Sequence, residues 1–296
     1  MAELGTHIIT DRDFSRSTKL LPGERSKRKE ELPIIAGIVD DMATFVSQYG
    51  VSPLPLGLKS IHLIRDLDKF VKVTGNDHVF NAAAEFDAER QSINVYSTAN
   101  QENYPDYLEL ALQISHELLH MYSFYSASLL SGHLERRRSG LWARDKERMR
   151  QYTSNTLNEA VTEELNKRFD QQFLSKPPHY SYGFMCSVKN RDFQRQNIED
   201  KEYAEDIAHI NWDNWHTYSY GTDRHKLKLL IGRIYGSNPD QFTDSEAVFN
   251  VFARAYFTGR LLPLARVVES TFGQSSFRRI GRIADDLLIE EYQKKR

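Results

Sequence analysis

Apolar residues recur at helical spacing behind Pro33, where Ile34, Ile35, Ile38, Val39, Met42 and Phe45 share one face, so a helix is expected to about Gln48. The Pro- and Gly-rich stretch YGVSPLPLG (49–57) then marks a boundary. Between 60 and 97 the pattern turns extended. Residues 61–64 read as a strand, and 84–86 and 92–96 flank the polar stretch 87–91 as a hairpin. Beyond Asn103 strands are expected to stop almost entirely. Pro105 stands where a first helical residue belongs, and an apolar period runs from it to about Tyr125. A second strong helix is expected over 157–173, and the polar, basic stretch 131–153 between the two predicts a small hairpin or a loop. Four more helices are expected near the C-terminus. They cover 223–235 (closed by Gly236), the capping box Thr243-Asp244-Ser245-Glu246 to just before Gly259, 263–273 and 276–293.

This pattern divides the chain into a polar N-terminal tail (1–32), an α+β lobe with a small, mostly antiparallel sheet (33–154) and a helical lobe (155–296). The mixed run RSKRKEE (25–31) reads as a solvated tail or helix lead-in. At 296 residues the chain is long enough to bury a sizeable core. No apolar run is long enough to span a bilayer, and the N-terminus lacks the basic start and apolar centre of a secretory signal, so no membrane partner is expected and the protein is read as cytoplasmic. With 39 Lys+Arg against 41 Asp+Glu there is no basic excess for general nucleic-acid binding. Cys186 is the only cysteine, which excludes an intrachain disulfide and a thiolate metal cluster.

The chemistry concentrates on the two central helices. In His116-Glu117-Leu118-Leu119-His120 the histidines lie four residues apart, about 6 Å along a helix axis and roughly 40° around it. Both imidazoles can therefore reach one tetrahedral metal ion, while Glu117 points where it can act on water rather than bind the metal. Zinc held by two histidines needs a third protein ligand, and Leu157-Asn158-Glu159-Ala160-Val161-Thr162-Glu163 offers one. Glu159 and Glu163 are four apart and face the same way, so one can bind metal while the other holds an imidazole from behind. A competing reading of Thr156-Leu157-Asn158-Glu159 is a capping box in which Glu159 merely closes the helix start.

HELLH followed by NEAVTE resembles the gluzincin zinc metallopeptidases, the thermolysin-like family that pairs H-E-x-x-H with N-E-x-x-x-D on the next helix. Carried over position by position, the resemblance implies His116, His120 and Glu159 as metal ligands, Glu117 as general base, and Asn158 and Glu163 as groups behind the ligands. It also implies a zincin-like N-terminal lobe carrying the active-site helix, Zn2+ as cofactor and a peptide or protein as substrate. Two departures stand out: Glu163 replaces the family's Asp, and the interval from His120 to Glu159 is longer. RRSGLWARD, SYGTDRHKLKLLI and ARAYFTGRLLPL are in addition similar to small bacterial gluzincin-like proteins.

Peptide hydrolysis by a zinc-activated water develops an oxyanion, which needs a donor beside the metal. Tyr220 is the first choice, with His225 and Tyr152 as rivals. The run Arg136-Arg137-Arg138 reads as a hairpin edge or cleft rim, Trp212-Asp213-Asn214-Trp215 as a loop anchor, and Cys186 as inert. The expected activity is peptide-bond hydrolysis with Glu117 as base. The alternatives are a narrow processing or toxin-like protease acting on one partner protein, and a non-catalytic metal-binding scaffold.

Overall fold

A computed structural model describes residues 20–294, apart from 54, 76, 78–79, 81, 89, 97–105, 131–132, 144–154, 177–181 and 212–213. It begins with a two-residue strand β1 (Glu24–Arg25), helix α1 (Glu31–Ser47), strand β2 (Ile61–Ile64), helix α2 (Leu67–Thr74) and strands β3 (Ala84–Asp87) and β4 (Ser92–Val95). These strands form one sheet in the order β1-β2-β4-β3, with β2 and β4 parallel and both outer pairings antiparallel. The expected face of α1 is buried: Ile34, Ile35, Ile38, Met42 and Phe45 are at most 1% exposed and Val39 8%. Each such side chain contributes roughly 1.5–3 kcal/mol.

Helix α3 (Tyr107–Tyr122) packs on α1 and on the sheet edge β3. It ends at Tyr122, three residues before the expected stop, because the chain turns directly into β5 (Tyr125–Leu130). With β6 (His133–Ser139) and β7 (Trp142–Ala143) this makes a second, antiparallel sheet. Then come α4 (Asn155–Phe169), prolonged by a π-helical turn Asp170–Leu174, α5 (Tyr182–Gln196), α6 (Lys201–Asp206) and the hairpin β8 (Ile207–Asn211) and β9 (Asn214–Thr217). The C-terminal part contains α7 (Gly221–Ser237), α8 (Ser245–Thr258), α9 (Leu261–Phe272) and α10 (Ile280–Lys294). The caps read from sequence hold at α8, where Asp244 accepts from the Ala247 N–H and Gly259 is left-handed. Glycine is required there, since a Cβ on Gly259 would lie 2.4 Å from the Phe124 ring.

Among the described residues the architecture is mixed α/β with small sheets and no barrel, consistent with the α+β class. One buried apolar cluster continues from Ile34 on α1 to Leu287 on α10. Among the described residues no helix is long and apolar enough to cross a membrane.

Two expectations need correction. Strands do not stop after Asn103, because β5–β7 and β8–β9 follow it. Nor are residues 20–32 a tail. Strand β1 pairs with β2, and the charge run 25–31 leads into α1 as a helix lead-in, with Ser26, Lys29 and Glu30 exposed but Glu31 fully buried against Arg25 at 2.7 Å. Residues 1–19 of the expected tail and Pro105 lie outside the described residues.

Candidate metal centre

The two central helices meet at the candidate centre. Asp106 caps α3: its Oδ1 accepts from the N–H groups of Leu108 and Glu109, both at 3.0 Å. Leu108, Leu110, Ala111, Ile114, Leu118 and Leu119 bury the other faces, leaving His116 and His120 on one partly open stripe. Helix α4 crosses this stripe. The Nε2 atoms of His116 and His120 are 3.1 Å apart, and Glu159 Oε2 lies 3.1 Å from His120 Nε2 and 3.6 Å from His116 Nε2. Three ligands of one tetrahedral zinc, with bonds of 2.0–2.1 Å, would sit about 3.3 Å apart. Two imidazoles and one carboxylate also form a donor set that suits zinc. The residues present therefore fit the ion.

Behind these side chains Glu163 is fully partnered. Glu163 Oε2 meets His116 Nδ1 at 2.6 Å and Asn166 Nδ2 at 3.4 Å, while its Oε1 accepts the Ser219 N–H at 2.8 Å. Its carboxylate thus faces the far side of the His116 ring, and Glu159 faces the shared edge of both rings. This separates the two carboxylates left open by sequence and turns Glu159 toward the imidazoles rather than into a capping role. Burial works to raise the Glu159 pKa, but the His120 and His116 rings outweigh it and hold the carboxyl far below its ordinary range. Burial likewise opposes a charged His116, and Glu159 and Glu163 override it.

Glu117 is buried beside the two rings. Burial raises its pKa above the ordinary 4.5, against the pull of His116 and His120, and the Phe86 N–H from edge strand β3 donates to its carboxylate. Tyr220 stands on the open side, its ring 6.3 Å from that of His116 and nearly parallel to it. Its backbone is left-handed (φ 56°, ψ 34°), an uncommon state for a tyrosine. Burial and the surrounding Glu159, Glu117 and Glu163 charges push its phenol pKa up to about 12, so it remains a donor at neutral pH. Asn158 serves a different element. Its Oδ1 accepts the Leu141 N–H at 3.0 Å, and its Nδ2 lies 3.5 Å from Glu159 Oε1. It thereby fixes the β6–β7 turn against α4, at left-handed Gly140, where a Cβ would lie 2.5 Å from Asn158 Oδ1.

Several supports were not evident in the sequence. Tyr256 on α8 is fully buried; its hydroxyl donates to Leu119 O at 3.2 Å, accepts from Thr162 at 2.9 Å, and lies 3.4 Å from His120 Nδ1. Ser219 and Tyr220 follow Tyr218, which is clamped in a buried network with Asp170 and Arg191. Arg191 Nη1 meets Asp170 at 2.5 Å and also donates to Ala208 O at 3.0 Å. The Tyr in ARAYF and the Tyr preceding Ser-Tyr-Gly carry these roles, but among fifteen tyrosines nothing in their spacing sets them apart.

Other candidates are not brought together. His225 points away, with Nε2 2.5 Å from Glu291. Tyr152 and Trp212-Asp213 lie outside the described residues. Arg138 donates to Gly259 O at 2.7 Å and stacks on Phe124, a structural role, and Trp215 lies near Tyr203. Cys186 is exposed. In comparisons with protein-family models, curated proteins and solved structures, nothing matches this chain.

Proposed function

We propose that this chain is a zinc metallopeptidase of the gluzincin type, hydrolysing peptide bonds at the centre formed by His116, His120 and Glu159. The observation that supports it most is the convergence of these three ligand atoms within 3.1–3.6 Å, beside a buried glutamate that is not one of them. A purely structural site has no use for that glutamate. Sheet edge β3 running along α3, with its Phe86 N–H on Glu117, is in keeping with a zincin-like lobe.

When bound, zinc supplies Lewis acidity that brings the proton of water within reach of a carboxylate base near neutral pH. Glu117, oriented by the Phe86 N–H, takes that proton and returns it to the departing amine. Its raised pKa brings it closer to the working pH, as acid–base exchange in both directions requires. Glu163 fixes the His116 ring through Nδ1 and leaves Nε2 for the metal. Tyr220, still protonated, donates to the oxygen on which charge develops. Zinc-loaded protein should cleave members of a mixed peptide library, stop on chelation and resume when zinc is restored. A library left intact by the loaded protein would contradict the reading.

A further inference from the structure

The N-terminus of α3 carries a second group of metal-ligating side chains, outside the centre described above. Asp106 Oδ2 lies 3.3 Å from His209 Nδ1 on β8, and ligand atoms of Asp106, Glu109 and His209 all fall within 4.8 Å of one another. The 3.3 Å separation is the spacing expected for two ligands sharing one tetrahedral ion. We propose that Asp106, Glu109 and His209 bind a second divalent transition-metal ion, of which zinc is the best match, and that this ion staples hairpin β8–β9 to the start of α3.

Each donor has a free atom for the role. Asp106 spends Oδ1 on the helix cap and keeps Oδ2 for the ion. Glu109 accepts from Gln113 Nε2 through Oε1 at 2.8 Å and keeps Oε2. His209 is cross-strand neighbour to His216, and the two rings stack at 4.4 Å, only 2° from parallel. That stack sets the plane of the His209 ring, much as an outer partner orients a metal-bound imidazole. Among the described residues no lysine or arginine pairs with either carboxylate, so two acids share this spot with imidazoles alone. The side chains of Asp106 and His209 are only 10% and 13% exposed, which limits the screening of that charge by water. A helix N-terminus disfavours a cation, but the capping carboxylate offsets that partial charge. Two oxygens and one imidazole nitrogen favour zinc, with manganese as the competitor.

The staple would also bear on the first centre. Hairpin β8–β9 runs into Tyr218, Ser219 and Tyr220, which hold Asp170 and Glu163 and overlie His116. Holding the hairpin would hold that segment.

The test uses the full chain and zinc alone, titrated against a chromophoric chelator, with amide hydrogen exchange followed over 207–211 and 214–217. Wild type should bind two zinc ions per chain. His116→Ala, His120→Ala should keep one, and zinc should still slow hairpin exchange and raise the Tm of that variant. Adding Glu109→Gln or His209→Gln to it should abolish the remaining ion and both zinc effects. These near-isosteric changes leave the Asp106 cap in place, and melts without zinc verify folding. A His116→Ala, His120→Ala protein that binds no zinc would overturn the proposal. So would one whose remaining ion survives both Glu109→Gln and His209→Gln. If wild type binds a single zinc that is lost in Glu109→Gln but kept in His116→Ala, His120→Ala, the staple stands and the peptidase centre fails.

Discussion

Glu159 and Glu163 sit one helical turn apart on α4, chemically identical, yet their surroundings give them different tasks. Glu159 Oε2 faces both Nε2 atoms, while Glu163 is filled by His116 Nδ1, Asn166 and the Ser219 N–H. Glu159→Ala should therefore abolish tight zinc binding at this centre. Glu163→Ala should weaken it by on the order of 10 to 100-fold, because the ring it orients remains a ligand. Competition titrations of the two variants decide between these roles. A capping role would instead leave affinity unchanged in Glu159→Ala and lower stability by about 1 kcal/mol. At this scale the sequence was informative where spacing carries geometry. His116, Glu117, His120 and Glu159 follow from i, i+4 reasoning and a known motif. Tyr256 and the Phe86 N–H do not, because each reaches the site through tertiary packing from a distant element.

At the scale of elements, buried charge is the recurring device, and it explains most of what the sequence concealed. Helix α5 buries Phe184, Val188 and Arg191, a helical stripe in which the third member is charged, so apolar periodicity misses it. Arg191 is fully buried against fully buried Asp170. Removing Asp170 leaves buried Arg191 with only the half-exposed Asp192, and removing Arg191 leaves Asp170 without its cation, so Asp170→Ala or Arg191→Ala should each cost about 3–5 kcal/mol. The double replacement Asp170→Leu, Arg191→Met should cost much less than the sum of the singles. Urea unfolding of the set measures this coupling, and strict additivity would contradict it.

The β1–α1 junction uses the same device. Burial works to raise the Glu31 pKa, but the Arg25 guanidinium and the Arg28 N–H outweigh it and hold the carboxyl below its ordinary 4.5. A depressed folded pKa means stability that is present above about pH 4.5 and lost as pH falls through the folded value. Wild type should thus lose stability on acidification below pH 4.5, and Glu31→Gln should lose less of it over the same range. Denaturant melts across that range check the difference. Equal acid slopes would show that Glu31 is not a source of the loss.

Over the whole molecule, the elements with clean periods and caps were legible: α1, β2, the β3–β4 hairpin, α3, α4 and the C-terminal helices. The short strands β1, β8 and β9 were not, since two to five residues with charged or histidine side chains carry no alternation to read. One apolar cluster joins the parts that the sequence divided into lobes, and the two central helices run through it with their polar stripe turned to the candidate centre. The claim that this stripe is catalytic rests on Glu117. It is buried beside the His116 and His120 rings, and burial raises its pKa toward the range in which a carboxylate exchanges protons near neutral pH. The direct measurement is peptide-library turnover by zinc-loaded Glu117→Gln against zinc-loaded wild type, with metal content checked in both. Glutamine keeps the shape and the hydrogen bond from Phe86 but cannot accept a proton, so zinc should stay and turnover should fall by about 10² to 10⁴-fold. Equal turnover at equal zinc content would contradict the mechanism.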